Sequence, residues 1–299
     1  MNRREFIKSA AALAAAPSVA GCVSGVPDRK GRILFGACRP PEDAKLMASV
    51  GFDFFEYGVA LVLGPDKDGE WWKGQRDMLR SLPIPMRSCN GFIPGTFRLT
   101  GPNAEHGAAL DYAETALRRA EEVGVKTVVF GSGGARNVPG DFTGPREQNP
   151  NLEEGTAQYT DFCRKLCARV ADLKTVTVVI EPLRPNESNI INFVWQGVQI
   201  CEDVNSPKLR QLADIFHMMM GRESAESIVK AGPLLKHCHI ASYGTRQFPG
   251  SDPATVDRLR PYFDALRQIG YTGGVSCECG WGKDLAKDLE TALKTLRSL

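Results

Sequence analysis

Short apolar, β-branched runs alternate with amphipathic stretches along most of the chain. Eight runs read as strands: Ile33–Ala37, Phe52–Glu56, Met86–Asn90, Thr127–Phe130, Val176–Ile180, Leu209–Ala213, Leu235–His239 and Gly274–Glu278. Between them, apolar positions recur at helical spacing. Leu110, Ala113, Leu117, Ala120 and Val123 share one face of a helix predicted over Leu110–Val123. Val256, Leu259, Tyr262, Phe263 and Leu266 do the same over Ala254–Ile269. Apolar-Gly-apolar junctions at Val50-Gly51-Phe52, Val123-Gly124-Val125 and Ile269-Gly270-Tyr271 place a Gly where a helix C-terminus needs a cap. Strands alternating with helices over residues 32–299 predict an α/β fold, a single-domain (β/α)8 TIM barrel. A doubly wound open sheet is the alternative. Ala60–Trp72 carries the weakest pattern and is expected to be a long loop over the barrel mouth.

The first 22 residues do not fit this alternation. Arg3-Arg4 precede an Ala-rich apolar run over Ala10–Ala16, and Val19-Ala20-Gly21-Cys22 ends it. The order is that of a twin-arginine export signal with a lipoprotein cleavage box, Cys22 being the acylated residue, and the run is too short to span a bilayer. Residues 23–31 would then be a tether. The expectation is an exported, periplasmic protein that meets the membrane only through an N-terminal lipid. The chain carries 37 Lys and Arg against 35 Asp and Glu; the leader holds three of those bases and one of those acids, so the remainder is formally neutral. A neutral domain without a basic run offers no footprint for nucleic acid.

Nine cysteines in an exported chain suggest disulfides. Their positions suggest otherwise. Cys38, Cys89, Cys238, Cys277 and Cys279 lie in or beside predicted strands, and alternation turns Cys238, Cys277 and Cys279 towards the helix layer as small buried hydrophobes. Cys163 and Cys167, one helical turn apart, lack the two further soft ligands of a zinc site.

Four ligand-type residues close four successive strands: Glu181, Asp214, His239 and Glu278. Taken singly, an acid at a strand end is ordinarily a helix cap or a surface charge, and a lone His a hydrogen-bonding partner. The set is different. The C-terminal ends of barrel strands are where such folds keep their chemistry. Three carboxylates and one imidazole make a hard, oxygen-rich site for one divalent ion, Mn²⁺ first, with Mg²⁺, Co²⁺ or Zn²⁺ compatible. Of only four His in the chain, His217, His237 and His239 fall in two of these strand-end motifs.

Ile180-Glu181-Pro182-Leu183 with Glu187 and Asn192, Asp214-Ile215-Phe216-His217, His237-Cys238-His239-Ile240-Ala241 and Cys277-Glu278 resemble the sugar isomerase/epimerase family. These are xylose-isomerase-like barrels that include D-tagatose 3-epimerase and hydroxypyruvate isomerase. Phe130-Gly131-Ser132-Gly133-Gly134-Ala135-Arg136 fits the same pattern. The resemblance implies one divalent ion on Glu181, Asp214, His239 and Glu278, with Glu181 and Glu278 doubling as acid and base. It implies that His217 and Glu187 contact substrate oxygens. The family arginine follows the ligand histidine by six residues; here Thr245 stands there and Arg246 comes one later. Arg246, Glu56 and Trp281 complete the expected substrate contacts. The implied reaction removes the α-proton of a ketose or hydroxy-ketone, passes through an enediolate, and returns a proton from the other face.

The same enediolate beside a leaving group eliminates it, so a lyase or dehydratase acting on a keto-sugar or keto-glycoside is the alternative. An apurinic endonuclease of the same barrel type would need a richer His set and a basic surface. A non-catalytic sugar-binding surface lipoprotein would not need a paired acid and base. The substrate is expected to be a small, unphosphorylated sugar, with specificity in Ala60–Trp72, Gly91–Thr100, Gly244–Pro253, Trp195 and Trp281. The oligomeric state is left open.

Overall fold

The computed structural model describes residues 31–139 and 151–299. The expected signal over residues 1–22, Cys22 and the tether up to residue 30 lie outside the described residues. Eight parallel strands close into a barrel in sequence order. They are β1 (Leu34–Cys38), β2 (Phe54–Gly58), β3 (Met86–Asn90), β4 (Thr127–Phe130), β5 (Thr177–Ile180), β6 (Leu209–Asp214), β7 (Leu235–Ile240) and β8 (Gly274–Cys277). The apolar runs thus form the strands, and the helices between them make the outer layer.

Alternation along each strand separates two environments. Val128, Phe130, Val178, Ile180, Ala213, Cys238 and Cys277 pack outward with the helices in one large core. Val129, Val179 and Leu212 make a separate apolar cluster, turned the other way, inside the barrel. Phe54 fills the interior near β1 and β8. A Cβ on Gly36 would sit 2.2 Å from its ring and one on Gly274 2.9 Å, so both positions must be glycine for the ring to fit. The described cysteines are all free thiols, with Cys238 and Cys277 in the outer core as alternation requires.

Three boundaries differ from expectation for identifiable reasons. Ala60–Trp72 is not a loop: a short helix spans Val59–Val62 and a longer one Gly69–Ser81. Asp68 Oδ1 accepts Trp71 N–H at 2.9 Å and starts the second helix, a cap that Gly64-Pro65 obscures in the sequence. The helix expected over Ala254–Ile269 is divided into a 3-10 segment, Pro253–Arg258, and an α-helix, Arg260–Gln268. Pro261 sits in the first turn of the latter, where its missing N–H costs nothing, and a continuous helix through it would lose a bond. Finally, β2 runs two residues further than expected, its ladder continuing past Glu56 through Tyr57↔Cys89 and Gly58↔Asn90. Glu56 is therefore inside the barrel, below the mouth.

Candidate active site

Ladder register brings the strand-end residues to one level. Asp214 pairs with His239, and His239 with Ser276, two residues before Glu278. Glu181 N–H bonds Phe130 O at 3.3 Å, which continues the β4–β5 ladder by one rung. Glu181, Asp214, His239 and Glu278 each offer one ligand atom, and these atoms lie within 4.8 Å of one another. His239 Nδ1 is the hub, 2.9 Å from Glu181 Oε1 and 3.7 Å from Glu278 Oε2. Because β5 and β8 are separated by two strands, the two glutamates reach it from different sides of the barrel.

Each side chain is held locally. A Cβ on Gly131 would lie 2.1 Å from Glu181 Oε2, so glycine after β4 makes room for that carboxylate. Arg136, fully buried, donates to the carbonyls of Phe130 at 3.1 Å and Glu181 at 2.9 Å and to Ser188 Oγ at 3.2 Å, clamping the ends of β4 and β5 together. Asp214 caps the helix Ile215–Met220, its Oδ1 accepting His217 N–H at 3.1 Å. Asn90 Nδ2 donates to Glu278 Oε1 at 3.1 Å. Arg246 Nη2 donates to Glu278 Oε2 at 2.7 Å and its Nη1 to Glu187 Oε1 at 2.8 Å. Glu187 Oε1 also accepts from Arg184 Nε at 2.7 Å, and both guanidinium groups lie over the Phe216 ring, at 5.2 Å for Arg184 and 5.1 Å for Arg246.

The one-residue offset of Arg246 is absorbed by its backbone. Arg246 adopts φ +54°, an uncommon conformation for a residue with a Cβ. Gly280 N–H bonds Arg246 O at 2.8 Å and Phe248 N–H bonds Gly280 O at 3.1 Å. These bonds tie the loop after β7 to the segment carrying Glu278 and deliver the guanidinium to the carboxylate.

The electrostatics call for a cation. Glu181 and Asp214 are nearly inaccessible, and three carboxylates gathered there repel one another unless positive charge lies between them. Burial pushes the Glu278 carboxyl up, and Glu181 and Asp214 add to this against the pull of His239 and Arg246. His239 is raised despite its burial, chiefly by Glu56 and Glu278. The donor set of three carboxylate oxygens and one imidazole nitrogen fits a hard divalent ion. His217 is 2% exposed, and neither ring nitrogen has a hydrogen-bond partner. Its Nε2 lies 3.5 Å from Asp214 Oδ2 and 3.7 Å from Glu187 Oε2. An imidazole buried without a partner is costly, and this one suits a ligand oxygen.

Two expected substrate contacts stand differently. Glu56 is fully buried, and both its oxygens are taken, by His239 Nε2 at 2.9 Å and His237 Nε2 at 2.8 Å. The strand extension that carries it below the mouth excludes it from direct substrate contact. Trp281 stacks on Phe248 with ring centres 5.6 Å apart and planes 3° apart, so one face of the ring expected for a sugar is already covered. Asn90, Arg136, Arg184 and His237 also belong to the site, although the sequence alone indicates no role for them. Asn90 does carry a signal, since it closes β3 at the same end of the barrel as the three acids and the imidazole.

The family described as xylose isomerase-like TIM barrel matches residues 44–299. The chain is 28% identical over 181 residues to a D-psicose 3-epimerase of Agrobacterium fabrum, covering 58% of this chain and 57% of that protein. It is 28% identical over 151 residues to an L-ribulose 3-epimerase of a Methylomonas species, covering 50% of this chain and 51% of that one. These matches span about half the length of the relatives. In structure it is similar to the apo form of 3-keto-D-glucoside 4-epimerase from E. coli, with TM-score 0.73 and 21% identity over 90% of this chain and 100% of that one. It is also similar to a D-psicose 3-epimerase with D-tagatose from Clostridium cellulolyticum, with TM-score 0.72 and 17% identity over 89% of this chain and 99% of that one. At these identities the structural likeness is one of fold.

Proposed function

The chain belongs to the xylose isomerase-like TIM barrel family, and from that premise we propose that it is a metal-dependent sugar isomerase or epimerase acting on an unphosphorylated ketose or related keto-sugar. The observation that carries this reading is the approach of Glu181 and Glu278 to the same His239 Nδ1 from different sides of the barrel. A group between them can lose a proton to one carboxylate and regain one from the other. The matched relatives named as 3-epimerases support the reaction class.

Glu181, Asp214, His239 and Glu278 would hold the ion, with Mn²⁺ suiting the donors best. When bound, it polarises a carbonyl oxygen and stabilises the negative charge that builds there. Glu278, anchored by Asn90 and Arg246, and Glu181, anchored through its backbone by Arg136, hold and move the proton on the two faces of the substrate. His217 donates to the developing oxyanion, and Glu187 and Arg246 orient substrate hydroxyls. Around the mouth, Glu181, Asp214, Glu278 and Glu187 face Arg184 and Arg246. A doubly charged cation brings this set to formal balance, which supports an uncharged substrate.

NMR of a panel of ketoses and keto-glycosides incubated in D₂O with Mg²⁺-loaded protein tests the reading. Deuterium entering next to the carbonyl, with isomerised or inverted product, is expected. Release of a leaving group would move the assignment to a lyase. Binding without exchange on any member would overturn the enzyme in favour of a sugar-binding module.

We further propose export and lipidation of Cys22, on the ordered Arg3-Arg4, apolar run and Val19-Ala20-Gly21-Cys22. Radiolabelled palmitate should enter the wild type and not Cys22→Ser, and equal labelling of the two would reject the anchor.

A further inference from the structure

We propose that Glu56 is a positioning residue for the ion site: it fixes the tautomer of His239 that turns an unprotonated Nδ1 towards Glu181 and Glu278. This rests on the reading that Glu181, Asp214, His239 and Glu278 hold a divalent ion.

The argument starts from which nitrogen faces which acid. His239 Nε2 lies 2.9 Å from Glu56 Oε1, while Nδ1 faces Glu181 Oε1 at 2.9 Å and Glu278 Oε2 at 3.7 Å. An ionised carboxylate only accepts hydrogen bonds, so Nε2 carries a proton towards Glu56 and, with no ion between them, Nδ1 carries one towards Glu181; an ion held by the acids would displace the Nδ1 proton and leave the one that Glu56 holds. A neutral imidazole protonated at Nε2 has its lone pair on Nδ1, the nitrogen among the candidate ligand carboxylates. Without Glu56 the ring has no partner that selects this tautomer over the one that would point N–H at the ion.

Glu56 can do this because it is itself immobilised. His237 Nε2 holds its second oxygen at 2.8 Å, and the two imidazoles stand edge to face, 5.2 Å apart at 81°. His237 is in turn packed between Phe54, with ring centres 6.2 Å apart, and Gly274, where a Cβ would lie 3.2 Å from its Nδ1. A rigid chain from Phe54 through His237 and Glu56 thus ends on the ligand imidazole. Cys38, Glu56 and His239 also lie close enough together to hold an ion of their own. The hydrogen bonds argue against one: both Glu56 oxygens and His239 Nε2 are committed. Cys38 Sγ is shared between Ser276 Oγ at 3.6 Å and Asn90 Nδ2 at 3.7 Å. The inferred stoichiometry is one ion.

Outer partners of ligand histidines typically contribute about 10–100-fold in metal affinity. Glu56→Gln keeps shape and size but offers one acceptor and one donor to two N–H groups. Competition with a chelating indicator should give a Mn²⁺ dissociation constant raised by about 10–100-fold, with an unchanged circular dichroism spectrum. His237→Phe, which leaves Glu56 on His239, should lose less. The tautomer is read without any variant: in ¹⁵N-histidine-labelled, Mg²⁺-loaded wild type, His239 should be protonated at Nε2 and not at Nδ1. A proton on Nδ1, or a folded Glu56→Gln variant within about threefold of wild-type affinity, overturns the inference while leaving the ion site standing. Two ions per chain would overturn it in favour of a second site at Cys38. A wild type that binds no ion removes the underlying reading as well.

Discussion

Arg246 donates from Nη2 to Glu278 Oε2 at 2.7 Å, on the carboxylate oxygen that faces His239. Its other terminal nitrogen bonds Glu187 at 2.8 Å, so one guanidinium sets the spacing of two acids from different loops. Bonds to charged groups contribute about 1.5–3 kcal/mol each, which corresponds to roughly 10–100-fold in rate if the transition state needs that spacing. Arg246→Ala should lower kcat/KM by about that factor on a verified substrate. Arg246→Lys should recover little, since an ammonium cannot bridge both acids as a planar fork does. Steady-state kinetics of the two variants decides the matter, and full recovery by Lys would show that charge alone suffices.

The two glutamates should separate chemistry from folding. Glu181→Gln and Glu278→Gln preserve size and one candidate ligand oxygen but remove the base. Each should lose about 10²–10⁴-fold in turnover. Near-normal turnover in either would rule out a two-base mechanism. His217→Asn should keep the ion and lose rate, because both its ring nitrogens are free of hydrogen bonds and it lies outside the ligand set.

Ion binding should be visible as stability. A ligand at 100 times its dissociation constant adds about 2.7 kcal/mol, which is several degrees in Tm for a domain of this size. Wild-type protein treated with a chelator should melt lower and regain the difference on adding Mn²⁺. Asp214→Ala should not respond, and should melt lower at the outset by about 1 kcal/mol, because Asp214 also caps the helix Ile215–Met220. Calorimetry with and without Mn²⁺ reads both effects, and an equal response in the variant would remove Asp214 from the ligand set.

Away from the site, Glu121 gives a pH dependence. Burial works against its charge, but N–H groups of Val176, Lys174 and Thr175 bond the carboxylate and hold its pKa below the usual range. A depressed folded-state pKa contributes stability that is present above the unfolded value, about 4.3, and is lost as pH falls through the folded one. Glu121→Gln should therefore be less stable than wild type at neutral pH, by about 1 kcal/mol at most given solvent screening of this partly exposed group, and the gap should narrow as pH falls below about 4.3. Denaturant unfolding across that range tests it; a gap that stays constant with pH would show that the charge is not what matters.

Much of this architecture was legible locally. A run such as Val176–Ile180 is apolar apart from the β-branched Thr177, and the acid after it marks the end of the strand whichever strands flank it. Side-chain alternation then dictates that Cys238 turns outward when His239 turns inward. The Asp214–His217 cap spans three residues, so its geometry is short-range as well. What closure of the barrel decided is different in kind. Whether Glu56 ends a strand or continues it depends on where β3 lies beside β2, and the partners Cys89 and Asn90 are over thirty residues away. That register carried Glu56 from the mouth to a place beneath His239. Asn90 and Glu278 meet across 188 residues of chain, and nothing near either one announces the other. The extra residue before Arg246 became harmless only because the backbone took a positive φ and the loop bonded to Gly280. Periodicity is a property of neighbours along the chain, whereas register and ring closure are properties of pairs brought together by folding.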